Sequence, residues 1–191
     1  MAGEHASHLA ALGLDDVRLR GLSSYLDLLA SWDRRVNLTG ARTAAARVDL
    51  LVARVLPLAG LPEPGTLIDV GSGNGSPGLV LALLRPDLDV TLLEPRARRW
   101  AFLREAARSA GRPLSALRIR HDGYRGPAAR TVTLRGVALP LPSLRHLVEV
   151  GGRVLVFGRE PDPAPGFVPE PSRLALPSGA HVFRRDVPRE T

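Results

Sequence analysis

The first 60 residues carry apolar side chains at the three- and four-residue spacing of amphipathic helices. One such stretch covers residues 15–36, where Asp15 or Asp16 stands at the N-cap position and the apolar positions are Leu19, Leu22, Leu26, Leu29 and Trp32. A second periodic stretch covers residues 44–56 and ends at a proline. Glycines and prolines then cluster between residues 60 and 65, as is typical of a boundary. We therefore predict a helical cap over residues 1–60 and a second domain over residues 61–191.

Beyond residue 65, short apolar runs alternate with segments of helical periodicity. This pattern predicts strands at 66–70, 90–93, 116–120, 131–134 and 153–157, and helices at 77–84, 96–110 and 143–150. Such alternation is typical of an α/β fold with a doubly wound parallel sheet. About ten residues separate the third strand from the fourth, which is too few for a crossover helix. We expect an extended loop to cross the sheet at that point.

The C-terminal segment has a different character. Residues 161–171 include five prolines, which predict a stiff, extended loop. Residues 173–176 and 181–184 then flank the turn sequence Pro177-Ser178-Gly179. This arrangement predicts an antiparallel hairpin at one edge of the sheet.

Length and composition exclude several classes of protein. A chain of 191 residues with 45% hydrophobic residues can bury one core, and no apolar run approaches the roughly 20 residues that span a bilayer. The absence of cysteine excludes disulfides, thiolate metal sites and cysteine nucleophiles, and the histidines lack ligand spacing, so we expect no metal. No secretion signal is visible at the N-terminus. We expect a cytoplasmic monomer that does not bind membranes.

The positive charge is concentrated in one region. Every one of the 26 basic residues is an arginine, and residues 96–130 contain ten of them against two acids, a net charge of +8 in a chain whose total is +7. Such a concentration is typical of a face that contacts phosphates. A solvated helix face in an arginine-rich protein would look the same, so both interpretations stay open.

The segment from Leu67 to Gly78 carries the strongest chemical signal. A buried strand ends in Asp69 and runs into a glycine-rich turn that opens a helix; the candidate ligand-binding positions in the turn are Gly71, Gly73, Gly75 and Ser76. Glycines allow the dihedral angles of such a turn and the close approach of a ligand to the backbone. Glu94 ends the next strand, where a carboxylate can accept hydrogen bonds from both hydroxyls of a ribose. These features predict an adenosine-binding site.

Two cofactors are compatible with this layout. The spacing Gly73-x-Gly75-x-x-Gly78 matches the fingerprint of dinucleotide-binding proteins, which is a weak signal alone. The carboxylate of Asp69 would repel the diphosphate of NAD, whereas it could neutralise the amino group of S-adenosylmethionine. The pattern therefore favours S-adenosylmethionine over NAD, and over a glycine turn that binds nothing.

On these residues the chain resembles the ribosomal RNA small subunit methyltransferase G family, also called glucose-inhibited division protein B. Three stretches carry the resemblance: residues 25–39, which end in Asn37-Leu38-Thr39; residues 68–78, which include Pro77-Gly78; and residues 91–103. A weaker fourth match is Arg135-Gly136-Val137-Ala138. The resemblance implies a class I methyltransferase fold and methylation of guanine N7 in 16S small-subunit rRNA or the ribosomal subunit. N7 already carries a lone pair, so the reaction needs alignment rather than a general base.

The chain also departs from the family. Leu51, Arg54 and Val55 stand where the family has a His-x-x-Asp-Ser motif, Arg130 replaces an acid, and Phe157 replaces a lysine. The adenine-pocket segment falls within residues 121–125, where the candidates are Asp122, Gly123 and Tyr124, and where His121 reaches the same face. These departures keep two alternatives open: a degenerate relative that binds S-adenosylmethionine or RNA without turnover, and a methyltransferase with another substrate.

Arg135 is the candidate catalytic residue. It follows the fourth predicted strand, on the side of the sheet where doubly wound folds bind ligands. Its guanidinium could hold a phosphate or grip the Hoogsteen edge of the target guanine. Alternatively, Arg135 pairs with Glu94 or Asp122 and only shapes the pocket.

Overall fold

The N-terminal part of the chain is helical, as its periodicity predicts. The computed structural model describes residues 4–171 and 179–186. Asp15 caps the longest helix by accepting a hydrogen bond from the N–H of Arg18, and the helix ends at Asn37, whose φ of 48° is left-handed. The helical elements of this part are α1 (Ala6–Ala10), α2 (Asp16–Val36) and α3 (Ala44–Val48), followed by a π-helical turn (Asp49–Ala53) and a 3-10 turn (Leu56–Leu58).

The rest of the chain forms a seven-stranded mixed sheet. The elements in chain order are β1 (Gly65–Val70), α4 (Gly78–Leu84), β2 (Leu88–Leu93), α5 (Ala97–Ser109), β3 (Ser115–Leu117), β4 (Ala129–Arg135), β5 (Val148–Phe157), β6 (Phe167–Pro169) and β7 (Ala180–Arg185). The strand order is β3-β2-β1-β4-β5-β7-β6. The first five strands of that order are parallel, and β7 and β6 pair antiparallel at one edge. The predicted α/β fold with an antiparallel edge is confirmed.

The two faces of the sheet bury different residues, because side chains alternate along each strand. Leu67 of β1 packs into a cluster with the N-terminal helices, α4 and α5. Ile68 and Val70 of the same strand face a second cluster, built with β4, β5 and the segment around Leu141. The N-terminal helices therefore share a hydrophobic core with the sheet.

The predicted helix at residues 143–150 is wrong. The chain forms a short 3-10 helix (Leu141–Leu144), and β5 begins at Val148. Prolines at 140 and 142 remove two backbone N–H donors, and the β-branched Val148 and Val150 favour a strand. The predicted third strand, at 116–120, is also shorter, since β3 ends at Leu117.

The predicted loop between β3 and β4 is confirmed, since residues 118–128 contain only a 3-10 turn (His121–Gly123). Of the predicted hairpin, the arm at 173–176 lies outside the described residues, whereas the arm at 181–184 falls in β7. The described edge partner of β7 is β6, which lies in the segment predicted as a loop. Within the described residues, no helix is both long and apolar enough to cross a membrane.

Candidate functional site

A cleft of about 760 Å³ opens at the carboxyl ends of the central parallel strands. Its walls come from the loops after β1, β2, β3 and β4 and from two parts of the N-terminal region, residues 38–40 and 50–51. This is the edge at which doubly wound sheets bind ligands. The cleft is therefore the candidate cofactor site.

The glycine-rich turn after β1 lines the cleft with bare backbone. Gly71 has a φ of +71° and Gly73 a φ of +52°, a region that side chains disfavour. A Cβ on Gly71 would lie 2.5 Å from Cγ2 of Val137, so this position has no room for a side chain. Gly75 lies behind the cleft against Leu79 and is not part of its wall.

The carboxylate of Glu94 is buried at the base of the cleft, 2% exposed. Oε2 accepts a hydrogen bond from the N–H of Gly73 at 3.0 Å, and Oε1 accepts one from the N–H of Arg96 at 2.8 Å. Each carboxylate oxygen has a further lone pair to offer. Glu94 is thus fixed by backbone amides in a position where it can accept hydrogen bonds from a diol.

Asp69 lies beneath the turn and does not line the cleft. It is 1% exposed; Oδ1 accepts a hydrogen bond from the Thr133 hydroxyl at 2.6 Å, and Oδ2 has no partner within the described residues. A Cβ on Gly78 would lie 2.7 Å from Oδ2, which explains the glycine there. Burial raises the pKa of Asp69 to about 6, partly offset by its hydrogen bonds. Because Asp69 does not reach the cleft, the geometry favours support of the loop over the expected contact with the amino group of the cofactor.

Arg135 and Ser76 join the cofactor turn to the N-terminal region. Nη1 of Arg135 donates to Oγ of Ser76 and Nη2 donates to the carbonyl of Leu50, both at 2.7 Å. The Ser76 hydroxyl donates in turn to the carbonyl of Leu51 at 2.8 Å. Arg135 lines the cleft as expected, but its described contacts include neither Glu94 nor Asp122. Burial lowers the pKa of Arg135 below its usual value, and nearby Arg54 adds to this effect.

The π-helical turn explains why these two carbonyls are available. In this turn the N–H of Arg54 is directed at the carbonyls of Asp49 and Val52, and the N–H of Val55 at Val52. The carbonyls of Leu50 and Leu51 therefore accept hydrogen bonds from cleft side chains, those of Arg135 and Ser76, instead. Interruptions of this kind are frequent at functional sites.

A second set of contacts brings the end of α2 into the cleft wall. The buried carboxylate of Asp33 accepts hydrogen bonds from the N–H groups of Leu38 (2.6 Å) and Thr39 (2.9 Å). The Tyr25 hydroxyl donates to the carbonyl of Asn74 at 2.9 Å, and Nδ2 of Asn74 donates to the carbonyl of Leu38 at 3.2 Å. Sequence reasoning missed these positioning roles, although the resemblance to Asn-Leu-Thr marked the segment.

The adenine-pocket candidates after β3 lie beside the cleft, whereas the residues just before them line it. Those lining residues are Ile119, Arg120 and His121. Asp122 is exposed and pairs with Arg120 at 3.4 Å. Gly123 lies against Ile119, and Tyr124 is buried with its hydroxyl donating to the carbonyl of Pro127.

The arginines of residues 96–130 do not form one uniform face. Arg96, Arg99 and Arg120 line the cleft. Arg112 instead donates to backbone carbonyls around α4 and β2, and Arg104 lies 5.0 Å from the ring of Trp100. A cationic rim therefore borders the cleft, and other members are structural. No cluster of three potential metal ligands occurs in residues 4–171 or 179–186.

Comparisons with known proteins agree with this architecture. Residues 18–158 match the family model described as rRNA small subunit methyltransferase G. The protein of that name from Anaeromyxobacter dehalogenans is 36% identical over 83% of this chain and 79% of its own, and that from Halorhodospira halophila is 37% identical over 77% and 72%. The fold is similar to the crystal structure of an RNA methyltransferase from Salinibacter ruber in complex with S-adenosyl-L-homocysteine, with a TM-score of 0.55 and 23% identity over 73% of this chain and 91% of that one.

Proposed function

Because this chain belongs to the rRNA small subunit methyltransferase G family, we propose that it transfers a methyl group from S-adenosylmethionine to N7 of a guanine in 16S small-subunit rRNA. One observation carries the proposal: buried Glu94 is fixed by the amides of Gly73 and Arg96 at the base of a cleft bordered by arginines. Small-subunit rRNA as the substrate follows from the names of the relatives, whereas 16S and N7 follow from the resemblance.

The residues of the cleft fit the cofactor. Gly71 and Gly73 offer bare backbone, and Glu94 keeps lone pairs for the ribose hydroxyls. Ile119 and His121, rather than Tyr124, would flank the adenine, with Asp122 and Gly123 behind them. Asp69, Gly75 and Ser76 would hold the turn in shape. The bound cofactor supplies an electrophilic methyl group on a sulfonium.

The chain's own contribution to transfer is alignment and electrostatics. The lone pair of N7 is already nucleophilic, so no side chain needs to remove a proton. Arg135 at the cleft wall is held by Ser76 and Leu50 and has five N–H donors in all. Its remaining donors would position a phosphate or the guanine, and the rim arginines would attract the RNA backbone.

The experiment is methyl transfer to small ribosomal subunits, or their rRNA, from a strain that lacks this gene. Labelled S-adenosylmethionine and mass mapping should locate one 7-methylguanosine in 16S rRNA. S-adenosylhomocysteine should bind in calorimetry and NAD should not. Transfer to another RNA, or to another atom of the base, would contradict the proposal.

A second candidate is a relative that binds cofactor or RNA without turnover. It is favoured by the π-helical turn, where Leu51 and Val55 are buried in the core and Arg54 pairs with Asp49 at 3.4 Å, in place of the family's polar motif. Under this candidate, S-adenosylhomocysteine would bind normally while rRNA from the deletion strain stayed unmethylated at any enzyme concentration.

A further inference from the structure

A second cavity, of about 480 Å³, lies next to the cofactor cleft at the carboxyl ends of β4 and β5. The two cavities share Val137 and Leu139 as a common wall. The volume is in the range of small-ligand pockets. The cavity therefore opens beside the place where the methyl group would be transferred.

The floor of this cavity is apolar and its far wall is stiff. Leu134, Leu141 and Val156 are buried at its base. The opposite wall is residues 159–165, in which three prolines alternate with other residues. This wall is anchored, since Arg145 donates to the carbonyl of Pro165 at 2.9 Å. Apolar side chains are among the groups against which proteins stack a nucleobase that has been extruded from its neighbours.

Two carboxylates stand at the exposed rim of the cavity. The side chain of Glu160 is 64% exposed, with Oε2 3.8 Å from Nδ1 of His181, and Asp162 is exposed on the same loop. Ionised carboxylates only accept hydrogen bonds. Among the purines, guanine presents the neighbouring donors N1–H and N2–H on its Watson–Crick edge, the edge by which single-stranded bases are read. The exposed Arg159 lines the same cavity, so the rim offers carboxylates to the guanine N–H donors and a guanidinium to a neighbouring phosphate.

We propose that this second cavity binds the target guanine of the RNA, an inference that rests on the proposed function. The guanine would be unstacked from its neighbours, with its Watson–Crick edge on Glu160 and Asp162. N7 lies on the Hoogsteen edge of the purine, which adjoins the Watson–Crick edge at O6, so one edge can be held while the other reacts. A guanine held in this way presents N7 toward Val137, the wall shared with the cofactor cleft. Recognition of one edge and reaction at the other would explain how a site without a general base selects guanine.

The first test uses guanosine 5′-monophosphate as the probe and adenosine 5′-monophosphate as its comparator, with S-adenosylhomocysteine present. In amide NMR spectra, the guanine nucleotide should shift the signals of Ala138 and Leu141, with affinity about tenfold above that of the adenine nucleotide. The Glu160→Gln, Asp162→Asn double variant should lose that preference. Equal affinities, no shifts at millimolar nucleotide, or shifts confined to residues 119–121 would overturn the assignment.

The second test fills the cavity. Ala138 lines the second cavity but not the cofactor cleft. Ala138→Trp should abolish the guanine-nucleotide shifts and rRNA methylation while S-adenosylhomocysteine affinity stays within about twofold. The control is Ala11→Trp, at an exposed position that lines neither cavity. Normal methylation by Ala138→Trp refutes the cavity assignment and leaves the proposed function standing. Guanine-nucleotide binding without rRNA methylation by the wild type refutes the proposed function alone.

Discussion

At the scale of single residues, two buried carboxylates of the site have opposite surroundings. Glu94 accepts two backbone hydrogen bonds, which is how proteins stabilise a buried anion. One carboxylate oxygen of Asp69 accepts a hydrogen bond from a hydroxyl, and the other has no partner in the described structure. Glu94 is therefore suited to binding, whereas Asp69 is better suited to supporting the loop.

Glu94→Gln should weaken S-adenosylhomocysteine binding by about tenfold or more, because an amide nitrogen cannot accept the hydrogen bonds that one carboxylate oxygen accepts now. Glu94→Ala should lose about 1–3 kcal/mol of binding free energy. Calorimetry measures both, with Glu105→Gln on α5 as the control. Unchanged affinity in the two Glu94 variants would refute the ribose assignment.

Asp69 should make the protein less stable as the pH rises. Its pKa is raised from 3.8 to about 6, so the folded state holds the proton more tightly than the unfolded chain. The contribution of protonated Asp69 to the free energy of unfolding is fully present below the unfolded pKa and is lost as the pH rises through about 6. The loss amounts to roughly 3 kcal/mol at most. Asp69→Asn cannot ionise, so its melting temperature should fall less than that of the wild type between these pH values. The control is Asp89→Asn, at an exposed position, whose melting temperature should change with pH as that of the wild type does. The prediction would be contradicted if the melting temperatures of the wild type and Asp69→Asn changed in parallel with pH.

At the scale of elements, the N-terminal region forms part of the wall of the cleft. α2 reaches the glycine turn through Tyr25, and the π-helical turn reaches it through Ser76 and Arg135. Three hydrogen bonds between residues that are far apart in sequence thereby help to fix the same loop. Loosening either connection should change ligand binding as well as stability.

Tyr25→Phe should lower S-adenosylhomocysteine affinity several-fold and cost about 1 kcal/mol of stability, because the carbonyl of Asn74 loses its donor. Tyr124→Phe is the matched control, since its hydroxyl donates to the carbonyl of Pro127, outside the cleft wall. That variant should lose stability alone. Equal binding losses in the two variants would show that Tyr25 acts only through general stability.

Arg135→Ala should be compared with Ser76→Ala, which removes the same Arg135–Ser76 hydrogen bond and leaves the guanidinium in place. Both variants should weaken cofactor binding to a similar extent. If Arg135 also positions RNA, Arg135→Ala should lower kcat/KM for rRNA by about a further 100-fold. Equal kcat/KM values would make Arg135 a residue that shapes the cofactor pocket only.

At the scale of the whole molecule, an ionic network closes the antiparallel edge of the sheet. Arg153 of β5 and Arg184 of β7 both donate to Glu170, and Arg153 also pairs with Glu63 at 3.1 Å. This network joins the segment before β1 to the last strands. The hydrogen bonds from Arg153 are the main reason why the pKa of Glu170 is lowered to about 2.

Glu170→Gln should cost about 1–2 kcal/mol of stability at neutral pH, discounted for the partial exposure of the pair. The depressed pKa stabilises the fold above the ordinary value of 4.5, and this contribution is lost as pH falls through about 2. The difference between wild type and variant in chemical denaturation should therefore shrink toward low pH. The control is Glu149→Gln, at an exposed position, which should lose little stability at neutral or low pH. A stability difference between wild type and Glu170→Gln that does not change with pH would contradict the ionic explanation.

Local patterns were enough to predict the helices of residues 15–36 and 44–56, most strands, the glycine turn and Glu94, because periodicity and turn chemistry act over a few residues. They failed at residues 143–150, where the spacing of the apolar residues fits a helix, whereas β5 begins at Val148, which pairs with Ala129 of β4. They also failed to place β6 beside β7.

Which residues from the rest of the chain join the glycine turn and Glu94 around the cleft was decided by tertiary structure. The contacts of Tyr25 with Asn74 and of Arg135 with Leu50 span 49 and 85 residues. Residues 119–121 line the cleft in place of the predicted candidates at 122–124, because β3 ends early and the following turn buries Tyr124. Such contacts depend on how whole elements pack, and a hydrogen bond between distant residues leaves no periodic signal in the sequence.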